Sequence, residues 1–154
     1  MKRTTGWLRF CAVLLILNIL FIWGNSLLPG EVSGAISQWL RDLLACIFPA
    51  GSEDPSAGHG LLRKLAHFTE FCCLGLLFTW LFSMLGKGVW QPLVCGFLVA
   101  CADETIQRFV PDRGPSIWDV CIDTAGVTLG VGLLLAGYAI YQKRKKQKIL
   151  EETL

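Results

Sequence analysis

Four long apolar stretches set the terms for this chain, because about 20 predominantly apolar residues are what a helix needs to cross a hydrocarbon core of ~30 Å. They run from Trp7 to Leu28, Leu61 to Leu85, Trp90 to Phe109 and Ile117 to Tyr141. Hydrophobic residues make up 53% of the sequence and charged ones only 17%, with a mean hydropathy of +0.53. That balance points to lipid rather than to a soluble core. At 154 residues the length fits one domain. The expected fold class is all-α: an integral membrane four-helix bundle with one further helix between the first two spans. A secretory signal is the alternative for the first stretch, since Lys2, Arg3 and Arg9 precede or open it. The run is too long for a typical signal core and no A-x-A-like site follows, so it reads as a retained helix.

Charge distribution gives an orientation. Four spans put both termini on one side, which then holds Lys2, Arg3, Arg9, Lys87 and the basic tail Lys143, Arg144, Lys145, Lys146 and Lys148. The opposite side holds Arg41, Arg63, Lys64, Arg108 and Arg113. Positive charge accumulates on the cytoplasmic side, so both termini are expected there, in a cell plasma membrane. Beside membrane spans, the basic tail (residues 142–154) reads as a topology signal and a contact for anionic lipid, and nucleic acid is not an expected partner. Trp80, Trp90 and Tyr141 are candidate interface anchors.

Between the first two spans, Ile36, Trp39, Leu40, Leu43, Leu44 and Ile47 recur at helical spacing. This predicts an amphipathic helix over about Ser33–Phe48, too short to span and lying on the outer surface or capping the bundle. Gly51 to Gly60 reads as a flexible connector. Of the seven cysteines, Cys11, Cys72, Cys73, Cys95, Cys101 and Cys121 sit inside apolar runs, where Cys serves as a small hydrophobe; Cys46 has no evident partner.

Ionisable residues are costly at membrane depth and persist where they face a bundle interior or an aqueous cavity. Here they gather, with the neutral amide Gln107, on three spans: Lys64, His67 and Glu70 on the second, Asp103 and Glu104 beside Gln107 on the third, Asp119 and Asp123 on the fourth. At 1.5 Å per residue, each group falls within ~10–12 Å of the outer end of its helix. Facing agrees with depth. Asp119, Asp123, Gly126 and Gly130 share one face; Gly96, Ala100, Asp103 and Gln107 share another. The small residues permit close helix approach below a polar pocket. The turn Val110-Pro-Asp-Arg-Gly-Pro-Ser carries Arg113 toward the pocket, and Ser116 followed by Asp119 has the form of a helix N-cap.

Bland alternatives stand beside each residue. Asp119 could simply cap its helix, Lys64 could snorkel to headgroups, and Arg113 could neutralise Asp112 or Asp119. His67 with Glu70, and Glu104 with Arg108, could be structural pairs. Apolar packing would do a purely structural job without burying charge, which favours a site.

The strings Arg-Lys-Leu-Ala-His67-Phe-Thr-Glu70-Phe and Asp103-Glu104-Thr-Ile-Gln107-Arg-Phe-Val-Pro111-Asp-Arg113-Gly-Pro-Ser116-Ile-Trp-Asp119-Val-Cys-Ile-Asp123-Thr-Ala-Gly126 resemble the VanZ-like family. The likeness covers roughly Leu61 to Gly132, and Ser26 fits the same pattern. Many family members carry Asn where Asp123 stands. The resemblance implies a small polytopic bacterial membrane protein, and its namesake is associated with low-level resistance to the glycopeptide teicoplanin. No settled reaction comes with it.

The leading expectation is an outward-facing site that binds or processes an anionic, lipid-linked cell-envelope molecule. Candidate catalytic groups are His67, Glu70, Asp103, Glu104 and Asp119, with His67 as acid or base positioned by Glu70. Lys64, Gln107, Arg113 and Asp123 are candidate ligand-binding residues, and a divalent cation held by His67 and the carboxylates is a further option. Two other classes remain open: a transporter or proton relay, and a non-catalytic interaction protein acting through Trp39 and the basic tail.

Overall fold

A computed structural model describes the backbone of residues 2–47 and 57–152, and side chains over most of that range. All the regular structure among the described residues is helical. α1 spans Lys2–Ser26, α2 Gly30–Ile47, α3 Ala57–Met84, α4 Trp90–Gln107 and α5 Ile117–Glu152. α3 is central, packing against α1, α2, α4 and α5, while α4 also touches α1 and α5.

Among the described residues, three helices are long and apolar enough to cross a membrane: Thr5–Ser26, Leu62–Met84 and Ile117–Glu151. The third expected span falls short of that description. α4 has 18 residues, about 27 Å at the usual rise. Gln91, Pro92, Asp103, Glu104 and Gln107 within it dilute its apolar character. Other boundaries also shift. α1 begins before the expected Trp7, and α5 continues as one helix through the basic tail, whose Lys, Arg and Gln residues are good helix formers.

The core consists of Leu15 and Ile22 from α1, Phe71, Leu74 and Phe78 from α3, Ala100 from α4, and Val127 and Val131 from α5. Below the polar end the helices come together through glycine. A Cβ on Gly130 would collide with the Cys72 backbone carbonyl, and one on Gly75 with that of Val127. Gly126 lies against the Phe68 carbonyl, and Gly96 makes room for the Val127 side chain. The predicted small faces of α4 and α5 are therefore contact faces. At the far end of the molecule Trp80 contacts Trp7 and Phe10, with ring centroids 6.2 and 6.5 Å apart. There α3 closes with Gly86 at φ 67°, the left-handed residue of a Schellman turn: Gly86 N–H donates to Ser83 and Lys87 N–H to Phe82.

α2 forms close to its expected limits, and its first N–H, from Gly30, donates to the Pro111 carbonyl in the α4–α5 turn at 3.2 Å. Of its apolar stripe, Ile36 and Trp39 are exposed. The side chains at 40, 43, 44, 46 and 47, and most of the expected connector, lie outside the described residues.

Candidate functional site

Chain direction alternates so that the end of α1, the start of α3, the end of α4 and the start of α5 meet. Asp103 occupies the middle of this meeting point and is fully buried. Its Oδ2 accepts from Ser26 Oγ at 2.8 Å and from Gln107 Nε2 at 3.0 Å, and lies 3.9 Å from His67 Nδ1. Gln107 also donates to Ser26 Oγ at 3.2 Å, closing a three-residue network between α1 and α4. Oδ1 of Asp103 is left without a hydrogen-bond partner. Asp123 approaches from α5, only 1% exposed, with both oxygens unpartnered. One ligand atom each from His67, Asp103 and Asp123 lies within 4.8 Å of the others.

Around this centre stands a second ring. Glu104 Oε2 accepts the Ser116 N–H at 2.8 Å. Ser116 is the residue before α5, and its N–H is the one an acid three residues on would satisfy in a capping box. Glu104 takes that role from the neighbouring helix, so Asp119 is free to face Lys64, with Nζ–Oδ1 at 3.7 Å. Asn25 donates from Nδ2 to Glu70 Oε1 at 2.8 Å. Arg113 Nη2 donates to the Asn25 carbonyl at 3.2 Å, while its Nε and Nη1 are buried without partners. Burial, and then the charge of Arg63, lower the Arg113 guanidinium from its ordinary value, but a guanidinium stays charged in proteins. Asp112 holds the turn with φ 58°, a left-handed conformation that Asp tolerates better than most residues.

Two hollows open here. A tight one of about 10 Å³ is lined by Arg63, Lys64, His67, Glu104, Gln107, Asp119, Ile122 and Asp123. That is about the space one water or bare ion occupies. A larger one of about 100 Å³ is lined by Asn25, Leu28, Ser33, Ile36, Arg63, Ala66, His67, Glu70 and Arg113. Arg63 and His67 border both.

All nine residues singled out from sequence fall in this region, but several pairings differ from expectation. Glu70 does not position His67; it turns to Asn25, and the acid nearest the imidazole is Asp103. Glu104 reaches Ser116 rather than Arg108. Arg113 bonds the Asn25 carbonyl rather than Asp112 or Asp119. Ser26 is a full member of the network. Asn25 and Arg63 were not identified as site residues. Asn25 carried a signal, a polar amide beside Ser26 at the depth of the other polar groups. Arg63 enters the sequence only as a topology charge and as the first residue of the family-like string.

An uncharacterized protein of Schizosaccharomyces pombe is 31% identical over 88 residues, a match covering 56% of this chain and 52% of that protein. The chain thus spans about half the length of that relative, whose yeast origin means the likeness does not itself indicate a bacterium. No solved structure matches. The model of the VanZ/LLP1 family matches residues 10–140, which include every site residue described above, and the chain belongs to that family.

Proposed function

We propose that this VanZ/LLP1 protein binds an anionic, lipid-linked envelope molecule in a polar pocket on the outer side of the membrane. α1, α3, α4 and α5 cross as a four-helix bundle with both termini cytoplasmic, and α2 rests on the outer surface. The apolar shortfall of α4 is tolerable in this arrangement because its polar end faces the other helices rather than lipid. The observation that carries the ligand reading is Arg113: two of its guanidinium donors are buried without partners beside a hollow that Arg63 and His67 also line. A buried guanidinium with free donors suits a phosphate or carboxylate, which it engages as a fork. Ile36 of α2 and Leu28 give the same hollow an apolar side, as a lipid-attached headgroup requires. His67, beside Asp103, is the group available for proton transfer if the ligand is also processed. A transport role fits less well, because the described core below the site is apolar. A contribution to glycopeptide resistance rests on the family resemblance alone.

The test is binding of a polyprenyl phosphate to purified protein in nanodiscs, against phosphatidylcholine as the neutral-headgroup control. Losing a charged hydrogen-bonded partner costs ~1.5–3 kcal/mol, so Arg113→Gln should weaken phosphate-lipid binding by about 10–150-fold. Equal affinity of wild type and R113Q, or no preference for phosphate over phosphatidylcholine, would refute this reading.

A further inference from the structure

Asp123 is the least explained group among the described residues. It is a carboxylate 1% exposed, held at a close helix crossing, with neither oxygen hydrogen-bonded. Burying such a group without a partner is strongly unfavourable, and buried charges are as a rule paired or bound to metal. Among the described residues no cationic side chain pairs with it: Lys64 goes to Asp119 and Arg113 to the Asn25 carbonyl. A carboxylate oxygen of Asp103 and a ring nitrogen of His67 lie within 4.8 Å of an Asp123 oxygen and of each other, and Asp103 too keeps one buried oxygen, Oδ1, without a hydrogen-bond partner.

We infer that His67, Asp103 and Asp123 form a binding site for one divalent transition cation. Three features point the same way. The three ligand atoms lie within 4.8 Å of one another, whereas atoms sharing one ion at ~2.0–2.2 Å sit about 3–4 Å apart, so closure asks for side-chain movement on the order of 1 Å. The adjoining tight hollow, of about 10 Å³, has room for a single ion or water. Asp103 is already oriented, because Ser26 and Gln107 both donate to its Oδ2, which lies 3.9 Å from His67 Nδ1, and its Oδ1 is buried with no hydrogen-bond partner. Outer hydrogen bonds of this kind fix ligand orientation at metal centres. One imidazole with two carboxylates is a mixed nitrogen–oxygen set that suits Mn²⁺ or Zn²⁺ and lacks the all-oxygen shell typical of Ca²⁺. The inference concerns the cation alone and stands whether or not the proposed phosphate ligand binds.

The experiment uses the full chain in detergent, stripped with chelator and titrated with MnCl₂, a probe less drawn than Zn²⁺ to the free cysteines. Wild type should bind one Mn²⁺ per chain, and pulsed electron paramagnetic resonance should detect coupling to an imidazole nitrogen. Asp123→Asn should weaken binding by at least ~100-fold, beyond the 10–100-fold typical of outer partners such as Ser26. His67→Gln should abolish the nitrogen coupling, while Glu151→Gln on the exposed end of α5 should bind as wild type. Absence of stoichiometric Mn²⁺ on wild type, or binding without nitrogen coupling, overturns the inference even where a variant fails to fold. Unchanged affinity in D123N overturns it as well, and leaves protonation as what keeps Asp123 buried.

Discussion

Replacing Gly130 by alanine adds one methyl group where, among the described glycines, there is least room for it. The new Cβ would overlap the Cys72 backbone carbonyl and lie 2.9 Å from the Leu76 nitrogen. Neither atom can rotate away, so α3 and α5 must separate. Overpacking of this kind costs ~1–3 kcal/mol. Gly132, two residues on in the same helix, has nothing within 4 Å of its would-be Cβ and provides the reference. Both substitutions receive the same helix-propensity gain of up to ~1 kcal/mol, which cancels in the comparison. G130A should therefore be less stable than G132A by ~1–3 kcal/mol, or about 5–150-fold in the unfolding equilibrium constant. Tryptophan fluorescence during unfolding in mixed micelles of sodium dodecyl sulfate and a mild detergent reads this difference. Because the same crossing brings His67 toward Asp123, G130A should also weaken ligand binding at the site. Equal stability of the two variants would refute glycine-mediated contact as what holds α5 against α3.

Two further outcomes follow. Lys64→Gln should cost under ~1 kcal/mol, because Lys64 is 45% exposed and its pair with Asp119 spans 3.7 Å; a larger loss in the same micelle assay would mean the pair is far less solvated than it looks. Epitope tags at the two termini should be protected or digested together when sealed vesicles are treated with protease, as four crossings require; tags on opposite sides would leave three crossings and remove α4 as a span.

Much of this architecture was legible because two simple regularities carried it. Spacing by three and four residues put Asp119, Asp123, Gly126 and Gly130 on one face, and that face is the one pressed to α3. Depth arithmetic from helix ends brought His67, Asp103 and Asp123 to one level, and these three now meet. Which atom each group would engage was not legible, because the partners come from distant segments. Glu70 meets Asn25, 45 positions away, and Ser26 meets Asp103, 77 away. No local pattern encodes such pairs. Glu104 illustrates the same limit: its neighbour at four residues, Arg108, was the natural partner, yet the tight turn brought the Ser116 N–H within reach. α4 ends at Gln107 rather than at the expected Phe109, because the chain already turns there, with Phe109 N–H donating to the Ile106 carbonyl and Val110 N–H to that of Gln107.

The account depends on α1, α3 and α4 bringing their polar side chains to one point, and disulfide trapping in native membranes tests this most directly. In a chain with its own cysteines replaced, Ser26→Cys with Asp103→Cys should cross-link rapidly, and Asn25→Cys with Glu70→Cys should do so through a short bis-thiol-reactive spacer that makes up for the longer native side chains, since hydrogen bonds of 2.8 Å join both native pairs. Leu27→Cys, on a side chain exposed away from the site, should not trap Asp103→Cys. Failure of both native-contact pairs, or equally fast trapping from position 27, would contradict the shared site.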